Sequence, residues 1–132
     1  MNKYGNHRIE NAEGVFDSKG EWLRWCFLKD AQRRGEISGL RRQVTFTLVP
    51  PVHYFKTVHL KTKDRQEKRV WTREVTYTAD FVYDYHGETI VEDFKGMPND
   101  RWPIKKALMA FVHGIYVREV RRPAEPINDT EK

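Results

Sequence analysis

Two carboxylates and an ammonium group in the second half of the chain have the types and spacing to act on one point. Over 75–85 the residues alternate as a strand. Val75, Tyr77, Ala79, Phe81, Tyr83 and Tyr85 fall at odd positions and Asp80 at an even one, so Asp80 projects away from that apolar row. Over 89–95 a second strand puts Ile90, Glu92 and Phe94 on one face and Val91, Asp93 and Lys95 on the other. The tight turn at His86-Gly87-Glu88 makes the two strands neighbours, which lets Asp80 and Asp93 converge with Lys95 beside them. Two carboxylates aimed at one point repel and shift each other's pKa unless a positive charge intervenes. Oxygen donors of this kind suit a hard divalent cation, which polarises a phosphoryl oxygen and lowers the pKa of bound water. An adjacent lysine can orient that water or steady developing charge. Alone, Asp-x-Lys is also the pattern of an ordinary surface ion pair on a strand, and spacing does not separate the two readings.

Those strands need elements to hold them. Residues 1–16 read as an extended N-terminal arm with Gly5 and Gly14 as turn points. Ser18-Lys19-Gly20-Glu21 opens a helix of the Ser-x-x-Glu type, which runs to about residue 34 and stops at Gly35. Trp22, Leu23, Trp25, Cys26, Phe27 and Leu28 surround nearly the whole of this helix, so the sheet, the arm or a second subunit must cover it on more than one side. Strands are expected over 42–49, 53–60 and, as one long element, 69–85, with a charged loop at 61–68. A second helix over 101–113 shows one apolar stripe of Ile104, Ala107, Leu108 and Phe111, and a last strand follows at 115–120. The closing strand–helix–strand unit is a parallel crossover, whereas the preceding hairpins are antiparallel, so the expected class is α/β with a mixed sheet flanked by helices. Residues from Pro123 onward read as a disordered tail.

The chain has 132 residues, the size of one domain, and a net charge of +5 with a sequence pI near 9.4. The tail from Ala124 carries −2 and the remainder +7, a balance that favours a polyanionic partner. The lone Cys26 excludes an internal disulfide and every multi-cysteine zinc site; it reads as a core residue. Five histidines stand at no metal-binding spacing, and no glycine-rich phosphate loop is present, so a nucleotide cofactor has no support. No apolar run is long enough to span a membrane, and the N-terminal residues lack a signal-peptide core, so a cytoplasmic location is expected.

The ordered set of a helix with Glu21, a strand with Asp80 in Tyr77-Thr78-Ala79-Asp80-Phe81, a strand with Asp93 and Lys95 in Val91-Glu92-Asp93-Phe94-Lys95-Gly96, then helix and strand, is similar to the PD-(D/E)XK nuclease core. More narrowly, Asn2-Lys3-Tyr4-Gly5-Asn6, Phe16-Asp17-Ser18-Lys19-x-Glu21, Gly35-Glu36-Ile37-Ser38 and Gln43 resemble a family of small phage proteins of uncertain function assigned to that superfamily. The match spans about residues 2–120, and it departs in having Ala79 where a proline often precedes the first acid. The resemblance implies a restriction-endonuclease-like core of order αβββαβ over residues 17–122. Asp80, Asp93 and the Phe94 backbone carbonyl would ligate Mg²⁺ or Mn²⁺, with Glu21 directly or through water, and Lys95 would be catalytic. Glu21 is also the fourth residue of a capping box, which gives it a purely structural reading.

The activity this implies is metal-dependent hydrolysis of DNA. The favoured form is structure-selective cleavage, resolvase-like, by a homodimer acting on branched DNA in phage recombination or processing. The alternatives are a sequence-specific nicking or restriction-type enzyme and a non-catalytic basic DNA-binding module. Lys3 and Arg8 in the arm, Lys61, Lys63, Arg65 and Lys68 in the charged loop, and Lys105 and Lys106 on the second helix are the candidate DNA contacts; each also reads as a solvated surface charge. Glu92, facing away from Lys95, is read as structural or solvated.

Overall fold

A computed structural model describes residues 8–94 and 99–127. In chain order the elements are β1 (Ile9–Asn11), β2 (Gly14–Phe16), α1 (Lys19–Arg33), β3 (Ser38–Val49), β4 (Val52–His59), β5 (Asp64–Thr72), β6 (Val75–Tyr85), β7 (Glu88–Phe94), α2 (Arg101–His113) and β8 (Arg118–Val120). The chain is α/β with a mixed four-stranded sheet of order β3-β6-β7-β8, and β1-β2 and β4-β5 form two-stranded sheets of their own. β6 and β7 pair antiparallel and β7 and β8 parallel, so the crossover through α2 has the expected sense. Two compact units divide the chain: one holds the segments up to Val44 and from Ala79 onward, the other is Thr45–Thr78.

In the first unit, Leu28, Ala31, Ile37, Phe81, Tyr83, Ile90, Phe94, Val120 and Ile127 form the buried cluster, with Trp25, Phe27, Leu40 and Tyr85 against it. α1 meets the sheet face that carries Phe81 and Glu92: the Trp25 and Phe81 rings stack at 6.1 Å and Arg24 binds Glu92. The other face carries Asp93 and, opposite it on β8, Glu119, which accepts from Lys106 of α2 at 2.9 Å. The helices thus lie on opposite faces.

α1 begins as its sequence requires. Ser18 Oγ accepts the Glu21 N–H at 3.1 Å, satisfying one of the unpaired donors of the first turn. The apolar surplus of this helix is covered in part by the arm, whose expected extended form is a hairpin: Phe16 is buried and meets Trp22 edge-on at 5.2 Å and Trp25 at 6.4 Å. At α2, Asp100 makes no side-chain cap bond; Asn99 Oδ1 takes the Arg101 and Trp102 N–H groups at 2.9 and 3.1 Å instead.

Four expectations are corrected. The charged segment 61–68 is mostly strand, because β5 starts at Asp64 and only a short turn, closed by Leu60 N–H to the Lys63 carbonyl at 2.9 Å, separates it from β4. The long strand 69–85 is broken at Arg73-Glu74 into β5 and β6. The last strand is shorter, because residues 115–117 lead out of a left-handed Gly114 (φ 68°) before pairing begins. Pro123–Ile127 is held rather than loose: Arg24 donates to the Pro123 and Glu125 carbonyls at 3.2 and 2.5 Å, and Ile127 is buried in the core. α2 also turns its apolar stripe outward. Trp102 and Met109 are its buried residues, while Ile104 is 62% and Phe111 87% exposed. No helix among the described residues is long and apolar enough to cross a membrane.

Candidate active site

Glu21 comes from the first turn of α1, Asp80 from β6 and Phe94 from the end of β7. The turn can reach the sheet because residue 20 is glycine: a Cβ there would stand 2.9 Å from the edge of the Phe94 ring. Glu21 is consequently buried, and its Oε2 accepts the Asp17 N–H at 3.4 Å. Asp80 is fixed from two sides. Its Oδ2 accepts the Phe94 N–H at 2.8 Å, and its Oδ1 faces Gln43 Nε2 at 3.5 Å. Gln43 holds a left-handed backbone (φ 53°), rare for a residue with a Cβ, so β3 is locally bent where its side chain turns toward Asp80.

Both carboxyls are harder to ionise than usual. Burial, then the charges of Asp80 and Asp17, push Glu21 up to about 8, against the opposing Asp17 N–H and the Arg42 guanidinium. Burial also raises Asp80, as does the charge of Asp17, while the Phe94 N–H and hydrogen bonds from Gln43 and Glu21 pull it back. Burial is the first cause of both rises, and Glu21, at about 8, keeps its proton near neutrality. Among the described residues, Arg42 supplies a counter-charge. Its NH2 is 3.9 Å from Glu21 Oε2, while it donates to the Val15 carbonyl at 2.6 Å and lies over the Phe16 ring.

The β6–β7 pairing runs from Tyr85↔Glu88 to Phe81↔Glu92; beyond that last row Asp80 meets β7 through its carboxylate, at the Phe94 N–H. Asp93 is buried. The donor chemistry of Glu21 and Asp80, oxygen only and with ionisation opposed by burial, fits a hard divalent cation. Among the described residues, no three His, Cys, Asp or Glu side chains are grouped closely enough to hold one, so Asp93 is not drawn into a three-acid cluster. Lys95 and Lys3 lie outside the described residues.

Among the basic candidates, Arg8, Lys61, Lys63, Arg65 and Lys68 are exposed, Arg65 being paired with Glu67 at 3.0 Å. Lys106 is engaged with Glu119, and its neighbour Lys105 is half-buried. Sequence reasoning missed Asp17 and Arg42. An acid directly before a capping serine, and an arginine beside the Gln43 already picked out, were the available signals.

The larger omission is Arg24. Its Nε and NH2 donate to Glu92 Oε1 and Oε2 at 2.9 and 2.6 Å, both side chains are fully buried, and the Tyr83 hydroxyl also donates to Glu92. Glu92 is therefore structural and not solvated. Burial and the Glu92 charge hold the Tyr83 phenol far above its ordinary range.

A family model described as "Protein of unknown function (DUF1064)" matches residues 1–121, which takes in every residue of this site. The chain belongs to that family. No curated protein and no solved structure matches it.

Proposed function

We propose that the protein is a metal-dependent DNA endonuclease with a restriction-endonuclease-like core. The observation that carries this reading is the pair Glu21 and Asp80, both made harder to ionise by burial, with Asp80 anchored by the Phe94 N–H next to the buried Asp93. Catalytic carboxylates are brought together at such a cost in stability where an ion or substrate relieves it. The order α1-β3-β6-β7-α2-β8, with β4 and β5 inserted after β3, supports the αβββαβ core.

Asp80, Asp93, the Phe94 carbonyl and Glu21 would hold Mg²⁺ or Mn²⁺. When bound, the ion supplies Lewis-acid polarisation of the scissile phosphate and a water of lowered pKa. The Phe94 N–H keeps Asp80 in one orientation. Glu21 would have to give up its proton to serve as a ligand, which would tie binding to pH. Lys95 would steady charge developing on the phosphate. The finer assignment is structure-selective cleavage of branched DNA by a homodimer.

Cleavage of linear, flapped and four-way DNAs with Mg²⁺ and Mn²⁺ tests the proposal. Asp80→Asn and Asp93→Asn each abolish metal-dependent cleavage while binding in EDTA survives; cleavage that persists in both variants would refute it. A non-catalytic DNA-binding module is the second reading, favoured by the concentration of positive charge in one unit. It predicts binding in EDTA with no cleavage of any substrate.

A further inference from the structure

The unit Thr45–Thr78 holds seven Lys and Arg against three acids, so it carries +4 of the total +5. Its central feature is the ribbon β4–β5, paired from His59↔Asp64 at the turn to Val52↔Thr72 at the far end. About eight rows at 3.4 Å each give a length of roughly 27 Å. Both faces are open: among β4 residues only Val58, and among β5 residues only Glu67, is even half-buried. An isolated two-stranded hairpin is marginally stable in water, so a ribbon with this composition is ordered best when something covers it.

The side chains along it are graded. Tyr54 and Trp71, in edge contact at 5.6 Å, and Phe55 stand near the end far from the turn, with Phe55 69% and Trp71 71% exposed. Level with Phe55 stands Lys68, and toward the turn come Lys56, Thr57, His59, Lys61, Lys63, Arg65 and Gln66, groups that bond to phosphates and base edges. Glu67 neutralises part of Arg65 and Arg69, at 3.0 and 2.8 Å, and Asp64 holds His59 at 2.8 Å. Among the described residues, Lys56, Lys61, Lys63 and Lys68 have no carboxylate partner.

We infer that the turn end of this ribbon enters the major groove of duplex DNA. The inference rests on the reading of the protein as DNA-acting and names the surface that grips the substrate. Two strands about 4.8 Å apart with side chains on both faces match a groove about 12 Å wide, which admits a two-stranded ribbon. The unpaired lysines meet the flanking phosphates, and the polar Thr57 and Gln66, bonded to each other at 2.9 Å, lie in the same cross-strand row. The deep, narrow major groove of duplex RNA does not admit such an element, so the ribbon selects B-form duplex.

Binding of a fluorescent 30-base-pair DNA is measured in EDTA across a salt series, for the full chain and for the triple variant Lys61→Gln, Lys63→Gln, Lys68→Gln. All three positions are exposed, so circular dichroism is unchanged. The expected result is at least a tenfold loss of affinity and a salt slope shallower by about 2 to 3, near one per phosphate contact removed. Duplex RNA competes at least tenfold more weakly than DNA. Unchanged affinity and slope in the triple variant would overturn the ribbon, and so would equal competition by RNA. Asp80→Asn separates the two proposals. If it loses cleavage and the triple variant still binds normally, the ribbon fails and the enzyme stands. If nothing cleaves and the triple variant loses binding, the ribbon stands and the enzyme fails.

Discussion

At the residue scale, two buried acids have opposite fates, and each leads to a measurement. Glu92 has everything a buried carboxylate needs: a bidentate arginine, a phenol, and Arg118 3.9 Å away. Removing one member of such a pair leaves the other charge buried and alone, at a cost of about 3–5 kcal/mol. Glu92→Gln should lower Tm by roughly 10 °C or more, and replacing both Arg24 and Glu92 by methionine should recover much of that loss. Glu21 lacks comparable support, and its pKa near 8 fixes a sign. The folded chain keeps this proton between about pH 4.5 and 8 while the unfolded chain has lost it. The stabilisation is full below the unfolded value and drains away as pH rises through the folded one. Thermal unfolding should show Glu21→Gln matching the native chain at pH 5 and exceeding it at pH 8.5. The opposite order would mean that the carboxylate is stabilised in the fold. Added Mg²⁺ should raise Tm of the unaltered chain more at pH 8 than at pH 6, because the ligand must be deprotonated to bind.

At the scale of elements, legibility followed the physics of half-buried surfaces. β6 could be read because its alternation marks an apolar face; β7 could be read from the turn before it and its apolar residues, although residues 90–94 are buried on both faces. β5 could not, since a ribbon wet on both faces leaves no hydrophobic period; its Lys, Arg and Glu read as loop. The buried ion pair was hidden for the converse reason. Arg24 sits inside Trp22-Leu23-Arg24-Trp25 and Glu92 inside Ile90-Val91-Glu92-Asp93-Phe94, and a lone charge in an apolar run signals a buried partner only when both runs are compared. The approach of α1 to the sheet was equally illegible, because it turns on Gly20 having no side chain to strike Phe94. Gly20→Ala should shift that turn by a few tenths of an ångström or more. Cleavage and Mg²⁺ affinity should fall while the Arg24–Glu92 pair, one turn on, keeps most of the stability; an unaltered Mg²⁺ titration would show that Glu21 does not ligate.

At the scale of the whole molecule, the homodimer proposed for a two-strand cut needs a face, and α1 no longer offers the best one. Its tryptophans are half-buried beneath Phe16, whereas α2 leaves Pro103, Ile104, Ala107, Leu108 and Phe111 lining an open groove. Trp102 and Met109 already anchor α2 to its own chain, so the outward stripe contributes nothing to the monomer's core. Aromatic side chains bury about 150–250 Å² each, so Phe111, Ile104, Val112 and Tyr116 with their neighbours expose roughly 500 Å² of apolar surface. Two such faces together bury about 1,000 Å², the lower bound of a specific interface. A twofold pairing of α2 with its copy is the self-complementary arrangement this stripe permits. Sedimentation should therefore find a dimer at micromolar concentration, and Phe111→Glu should give a monomer with unchanged Tm, since the side chain is 87% exposed. The same substitution should turn paired cleavage of a four-way DNA into single nicks, leaving the nicking rate per subunit intact. A native chain that sediments as a monomer at high concentration would remove the dimer and, with it, the reason for expecting coordinated cuts.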